Sequence, residues 1–187
     1  MRLFVALEIP STVRENLAAL LKSLRTVSPQ TRWVRPENLH VTLKFIGEVQ
    51  ETKLAAIRSA LAGARSDQPV TVDFRGLGFF PNEKHPRVFW AGIEASSNLK
   101  DLALDIDRAM EKFGISREQR PFSPHLTLAR FEPPGLPEKL RSAIRENEVR
   151  AFGTLRTGQV HLIESKLKSS GAEYTTLESF PFAAAEA

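Results

Sequence analysis

Two short stretches decide the fold: Leu39-His-Val-Thr-Leu-Lys-Phe45 and Pro124-His-Leu-Thr-Leu-Ala-Arg130. In the first, apolar and polar residues alternate strictly, which is the period of a strand with one buried face. Leu39, Val41, Leu43 and Phe45 therefore share one side, and His40, Thr42 and Lys44 share the other. In the second, Leu126 and Leu128 turn inward while His125 and Thr127 turn outward. Unbroken alternation would send Arg130 inward. A β-bulge at a residue inserted near Ala129 returns it to the His125 face, just as Lys44 lies on the His40 face.

The two stretches belong to a longer internal repeat. Arg2, Phe4 and Ala6 lie over Arg87, Phe89 and Ala91, Arg32 over Arg117, and Arg35-Pro36 over Arg120-Pro121; His40, Thr42 and Leu43 lie over His125, Thr127 and Leu128. Beyond these leucines the register slips by one, so that Phe45 meets Phe131 and Lys53-Leu54 meets Lys139-Leu140. The match fades after about Leu61, and the stretch from Gly78 to Pro86 has no mate. Each unit opens on a strand-like run, Leu3 to Ile9 and Val88 to Ile93. A helix follows in each. Thr12 and Glu15 have capping-box spacing ahead of Val13, Leu17, Leu20, Leu21 and Leu24, and the second stripe is Leu99, Leu102, Ile106, Ala109 and Met110, ending at Gly114. After the histidine strand come a second helix, near 52–64 and 137–147, and strands near 70–74 and 158–163. Links such as Trp33 to Leu39 are too short for a series of parallel crossovers. The expected fold is α+β and bilobal with a pseudo-two-fold, one domain over 1–187 built from repeat units of about 2–64 and 87–147.

Composition sets the limits on function. The chain of 187 residues is 42% hydrophobic and 26% charged, an ordinary globular balance that excludes general disorder. It has no cysteine, so disulfide frameworks, thiolate metal sites and cysteine nucleophiles are all excluded. The first ten residues lack the length and cleavage site of a secretory signal, and no run is long enough to span a bilayer; a cytoplasmic location and no membrane contact are expected. A net charge of +4 favours anionic partners.

Two lobes related by an approximate two-fold bring equivalent strands together across a groove, each offering a histidine, a threonine and a cation. Such a groove suits a phosphate. Imidazole titrates near ~6.5, so one copy serves as base and the other as acid at neutral pH. The hydroxyls of Thr42 and Thr127 donate to non-bridging oxygens, and Arg130 or Lys44 holds the charge that builds there. A lone strand histidine is more often a packed or surface residue, and it is the pairing that points to catalysis. Zinc is disfavoured because no carboxylate stands at ligand spacing and threonine is a poor ligand; neither metal nor cofactor is expected. His85 and His161 read as surface residues, and Arg141, Arg145 and Arg150 as a solvated face. Arg35 and Arg120 suit either the turn before each motif or the phosphate. Among Trp33, Phe79, Phe80 and Phe122, the last, beside the motif, is the candidate for stacking on a base.

His40-Val-Thr-Leu43, His125-Leu-Thr-Leu128, the opening Arg2-Leu-Phe-Val-Ala-Leu-Glu-Ile-Pro10 and Pro121-Phe-Ser-Pro-His-Leu-Thr-Leu-Ala-Arg130 resemble the two-histidine phosphoesterases. The nearest likeness is to their RNA 2′,3′-cyclic phosphodiesterase branch, also called 2′-5′ RNA ligases. It extends to Trp33-Val34 and Tyr174. The resemblance implies antiparallel sheets lining a central cleft with helices outside, and metal-independent opening of a cyclic phosphate to a 2′-phosphate. It also implies His40 as proton donor, His125 as proton acceptor, and the two threonines as phosphate ligands. The implied partner is RNA with a 2′,3′-cyclic phosphate end, tRNA fragments among them, with no obligate protein partner. Two alternatives stay open: ligation by the reverse step, and a non-catalytic module that binds RNA ends.

Overall fold

The computed structural model describes residues 1–133 and 135–182. Its elements are β1 (Arg2–Glu8), α1 (Ser11–Val27), β2 (Arg32–Trp33), β3 (His40–Glu48), α2 (Leu54–Ala62), β4 (Val70–Phe80), β5 (Val88–Ala95), α3 (Asn98–Glu111), β6 (His125–Arg130), α4 (Glu138–Arg145), β7 (Ala151–Thr157), β8 (Gln159–Lys168) and β9 (Gly171–Pro181). The strands form two antiparallel sheets, one in the order β3-β1-β8-β9 and the other β2-β6-β5-β4-β7. The α+β, two-sheet architecture expected from the sequence is what the chain adopts. Among the described residues no helix is long and apolar enough to cross a membrane.

The halves of the chain exchange elements. β4 follows the first histidine strand yet pairs with β5, whereas β8 and β9 follow the second yet complete the sheet of β1. Helices cross over too: α1 packs on β7 and α4, and α3 packs on β3. The α1 contact is close enough to need a glycine, since a Cβ at Gly153 would sit 2.9 Å from Val13 Cγ2. Gly153 also has a φ of +126°, where side chains are strained. Asn16 Nδ2 donates to the Phe152 carbonyl at 2.8 Å and fixes the crossing.

Leu3, Val5 and Leu7 of β1 join the main core, which also takes in Val41, Phe89, Leu126 and Leu128. The opposite face of β1, away from the helices, carries a small separate cluster of Phe4, Ala6 and Ile163 with Tyr174 against it. Apolar residues on both faces explain why β1 reads as a continuous hydrophobic run.

The strand pairing places the expected bulge, and packing and the first helix cap correct two other expectations. In β6, Phe89 faces Ala129 and Trp90 faces Thr127, so the extra residue is Leu128. In β3, Val5 faces Lys44 and Ala6 faces Thr42, so its repeat mate Leu43 is extra as well. The bulge expected in β6 thus falls beside Ala129, while the matching bulge in β3 was not expected. The overlay of Phe4 on Phe89 also fails, for Phe4 lies on the open face and Phe89 in the core. Finally, α1 starts at Ser11 with Pro10 as its N-cap and no capping side chain, so Thr12 is already inside the helix.

The stretch from Gly78 to Pro86 ends β4 and turns back into β5. Glu83 in this turn is clasped by Arg141 at 2.9 Å and Arg145 at 3.2 Å, so these arginines of α4 are paired rather than simply solvated. Hydrogen bonding to Arg141 holds the Glu83 carboxyl below its usual range.

Candidate active site

Each histidine is the first residue of its strand, and β3 and β6 approach one another where the two sheets meet. In both, the ring is held by the chain just before it. His40 Nδ1–H donates to the Asn38 carbonyl at 2.5 Å, and His125 Nδ1–H to the Ser123 carbonyl at 2.9 Å. A carbonyl can only accept, so each bond fixes the proton on Nδ1 and leaves Nε2 free for chemistry. Thr42 and Thr127 follow on the same faces, both partly exposed.

The surroundings of the two rings differ. His40 stacks on Phe4 with centroids 4.6 Å apart and meets the edge of Tyr174 at 5.1 Å. Burial among these rings lowers its pKa to about 4, against the bond to Asn38, which raises it, and with a further push from Arg14. His125 is exposed. The free site therefore holds an uncharged, enclosed His40 opposite an open His125.

The bulge at Leu128 returns Arg130 to the His125 face, where it is exposed, as the sequence indicated. Lys44 is a correction. The matching bulge at Leu43 turns Lys44 into the interior, 4% exposed, where Nζ lies 2.5 Å from Asp107 Oδ1 and 2.7 Å from the Ser116 carbonyl. Phe45 takes the open position instead, 62% exposed and 6.2 Å from the Phe4 ring, so the counterpart of Arg130 is an aromatic.

Phe122 is partly buried against the core rather than projecting freely, and Phe79 is stacked on Phe89 in the interior. Phe80 is 56% exposed. Trp33 donates from its indole to the Ser28 carbonyl and meets Phe89 edge-on. His85 is exposed as expected, but His161 is 4% exposed, with Nδ1 bonded to Ser179 Oγ at 2.8 Å. Arg35 donates to the Ser170 carbonyl in the distant turn between β8 and β9 rather than within the turn before its own motif, and Arg120 is exposed. Four residues beside the motifs have no site role in the sequence reading: Phe4, Asn38, Trp90, and Phe45, which strict alternation wrongly places on the buried side. Trp90 lies across Gly78, where a Cβ would come within 2.2 Å of the indole, and it is the cross-strand partner of Thr127.

Two sheets that each present a histidine and a threonine from a bulged strand, the imidazoles pinned alike, define a duplicated two-histidine phosphoesterase. The chain belongs to the LigT like Phosphoesterase family, whose model matches residues 7–90 and 93–174. Relatives include the RNA 2′,3′-cyclic phosphodiesterase of Archaeoglobus fulgidus, 37% identical over 96% of this chain and 99% of that protein. The protein of the same name from Methanothermobacter thermautotrophicus is 35% identical over 96% and 97%. Among solved structures, a Thermus thermophilus protein superposes with a TM-score of 0.78 at 33% identity, covering 100% of both chains. Escherichia coli LigT in complex with 3′-AMP gives 0.73 at 28% identity, covering 97% of each.

Proposed function

We propose that this protein is a metal-independent RNA 2′,3′-cyclic phosphodiesterase that opens the terminal ring to a 2′-phosphate. The observation that carries the reading is the matched pair of Nδ1-to-carbonyl bonds at His40 and His125, which leaves two Nε2 atoms for proton transfer on adjoining strands. His125 Nε2 takes a proton from water as its oxygen attacks phosphorus. The bond from phosphorus to O3′ breaks, and His40 Nε2–H gives its proton to the departing oxygen. Thr42 and Thr127 donate to the non-bridging oxygens, and Arg130 meets the charge that gathers there. Ring strain assists, which leaves the protein mainly to position groups and move protons.

His40 is uncharged in the free site, and the substrate changes that balance. An anionic phosphodiester beside Nε2 supplies the opposite charge that burial otherwise denies the imidazolium, and the Asn38 carbonyl already stabilises the charged ring. Phe45 offers a flat apolar surface on the same face for the terminal nucleoside. In this reading the substrate is an RNA end, tRNA fragments included, met in the cytoplasm without a protein partner. The relatives' shared name supports the reaction class. Incubation with an RNA ending in 2′,3′-cyclic phosphate should yield the 2′-phosphate. A 3′-phosphate would contradict the proton assignments, a 2′-5′ joined product would favour ligation, and binding without turnover would leave a module that only holds RNA ends.

A further inference from the structure

We propose that Asn38 is a positioning residue for His40, fastening the β8–β9 hairpin across the site so that the ring is gripped at its nitrogen, its face and its edge. The inference deepens the hydrolytic reading above and rests on it. Asn38 acts twice. Its carbonyl accepts the hydrogen bond from His40 Nδ1–H, and its side-chain Nδ2 donates to the Ala172 carbonyl at 2.9 Å. Arg35 adds a second tie, donating to the Ser170 carbonyl in the turn of the same hairpin. Two residues past Ala172, the Tyr174 ring meets the His40 ring in a T-shaped contact at 76°, while Phe4 stacks on it at 26°. Tyr174 and Phe4 also meet each other at 5.1 Å, closing the box.

The second half of the chain supplies the comparison. Ser123 occupies the place of Asn38 and offers its carbonyl to His125 in the same way. Among the described residues its side chain makes no bond to another strand, and no ring packs on His125, which is exposed. The common feature is the carbonyl pin, and the difference is the strap. A reaction that needs one histidine to give a proton and the other to take one requires unequal surroundings from equal motifs, and the strap makes them unequal. The charged and titratable groups facing this end of β3 include Arg14 on α1, Glu8 at the cross-strand position on β1 with His161 of β8 3.8 Å from it, and Tyr174 on β9. Cutting the strap leaves Arg14 and Glu8 in place, so a change in titration reports the enclosure.

Asn38→Ser copies the second half into the first, and Tyr174→Ala opens the box directly. In each, nuclear magnetic resonance titration of His40 in the intact protein should show its pKa rising from about 4 toward its ordinary 6.5. On a 2′,3′-cyclic mononucleotide, kcat should fall about 10- to 100-fold with KM within about two-fold, the pattern of a misplaced rather than a missing group. The double variant should be scarcely worse than either single, because both act through one strap. An unmoved His40 titration in folded variants, or losses that multiply, would overturn the proposal. Should Asn38→Ser not fold, Asn38→Ala, which removes the same Nδ2–H donor to the Ala172 carbonyl, takes its place. The titration needs no turnover, so a wild-type protein without activity would sink the hydrolytic reading and leave this test standing.

Discussion

Replacing Lys44 by Ala should damage stability far more than its place in the motif suggests. Asp107 is buried, 6% exposed, and the change leaves its carboxylate only the Glu118 N–H and Arg117 Nε, 3.6 Å away, to answer its charge. Removing one partner of a buried ion pair costs about 3–5 kcal/mol. For a chain of this size each kcal/mol lowers Tm by about 2–4 °C, so a fall on the order of 10 °C is expected. Lys44→Met combined with Asp107→Leu removes both charges at similar volume and should lie within about 2 kcal/mol of wild type. The pH dependence has a definite sign. Burial pushes the Asp107 carboxyl up, but the Lys44 hydrogen bond, the Glu118 N–H and the charges of Lys44 and Arg117 outweigh it and hold the pKa below 3.8. The pair's contribution is therefore complete above that value and drains as acid takes the pH through the lower folded pKa; the double variant lacks this loss. Thermal melts followed by circular dichroism at neutral and acid pH, with turnover measured alongside, make the test. A Lys44→Ala protein that melts with wild type but has lost its activity would refute the buried latch and return Lys44 to the phosphate.

Arg130→Lys should lose at least about tenfold in kcat/KM, because a guanidinium forks onto two phosphate oxygens where an ammonium is a point charge; unchanged kinetics would remove Arg130 from the site. Gly78→Ala forces Trp90 off the sheet, since the new Cβ would stand 2.2 Å from the indole, and should cost about 1–3 kcal/mol with a shift in tryptophan emission and a raised KM. Identical emission and KM would mean the indole does not back Thr127. A nucleoside 2′-phosphate bound beside Nε2 should raise the His40 pKa from about 4 by at least about one unit, read by magnetic resonance; a value that stays put speaks against His40 as the acid.

The histidines and threonines were legible because alternation is local: His40 and Thr42, like His125 and Thr127, need only their own strand to share a face. Arg130 was legible because an arginine out of phase with a hydrophobic run signals a bulge. Lys44 was misread because its own bulge leaves no such mark. Leu43, Lys44 and Phe45 fit unbroken alternation equally well, and only pairing with Val5 and the distant Asp107 turns the lysine inward. β9 escaped notice because much of it is exposed, with Glu173, Thr175, Thr176 and Glu178 reading like a loop. His161 looked superficial because Ser179 on β9 and Glu8 on β1, which enclose it, lie far away in sequence. The same distance hides Tyr174's contact with His40.

The central claim, that one histidine gives a proton and the other takes one, is tested by changing the leaving group. A ribose 3′ oxygen needs a proton to depart, whereas a nitrophenolate does not. On the cyclic RNA end, His40→Ala and His125→Ala should each lose about 10²- to 10⁴-fold in rate. On a nitrophenyl phosphodiester that the wild type turns over, His40→Ala should regain much of that loss while His125→Ala stays impaired. Rescue of His125→Ala instead would mean the acid and base are exchanged, and equal rescue of both would contradict any fixed division of roles.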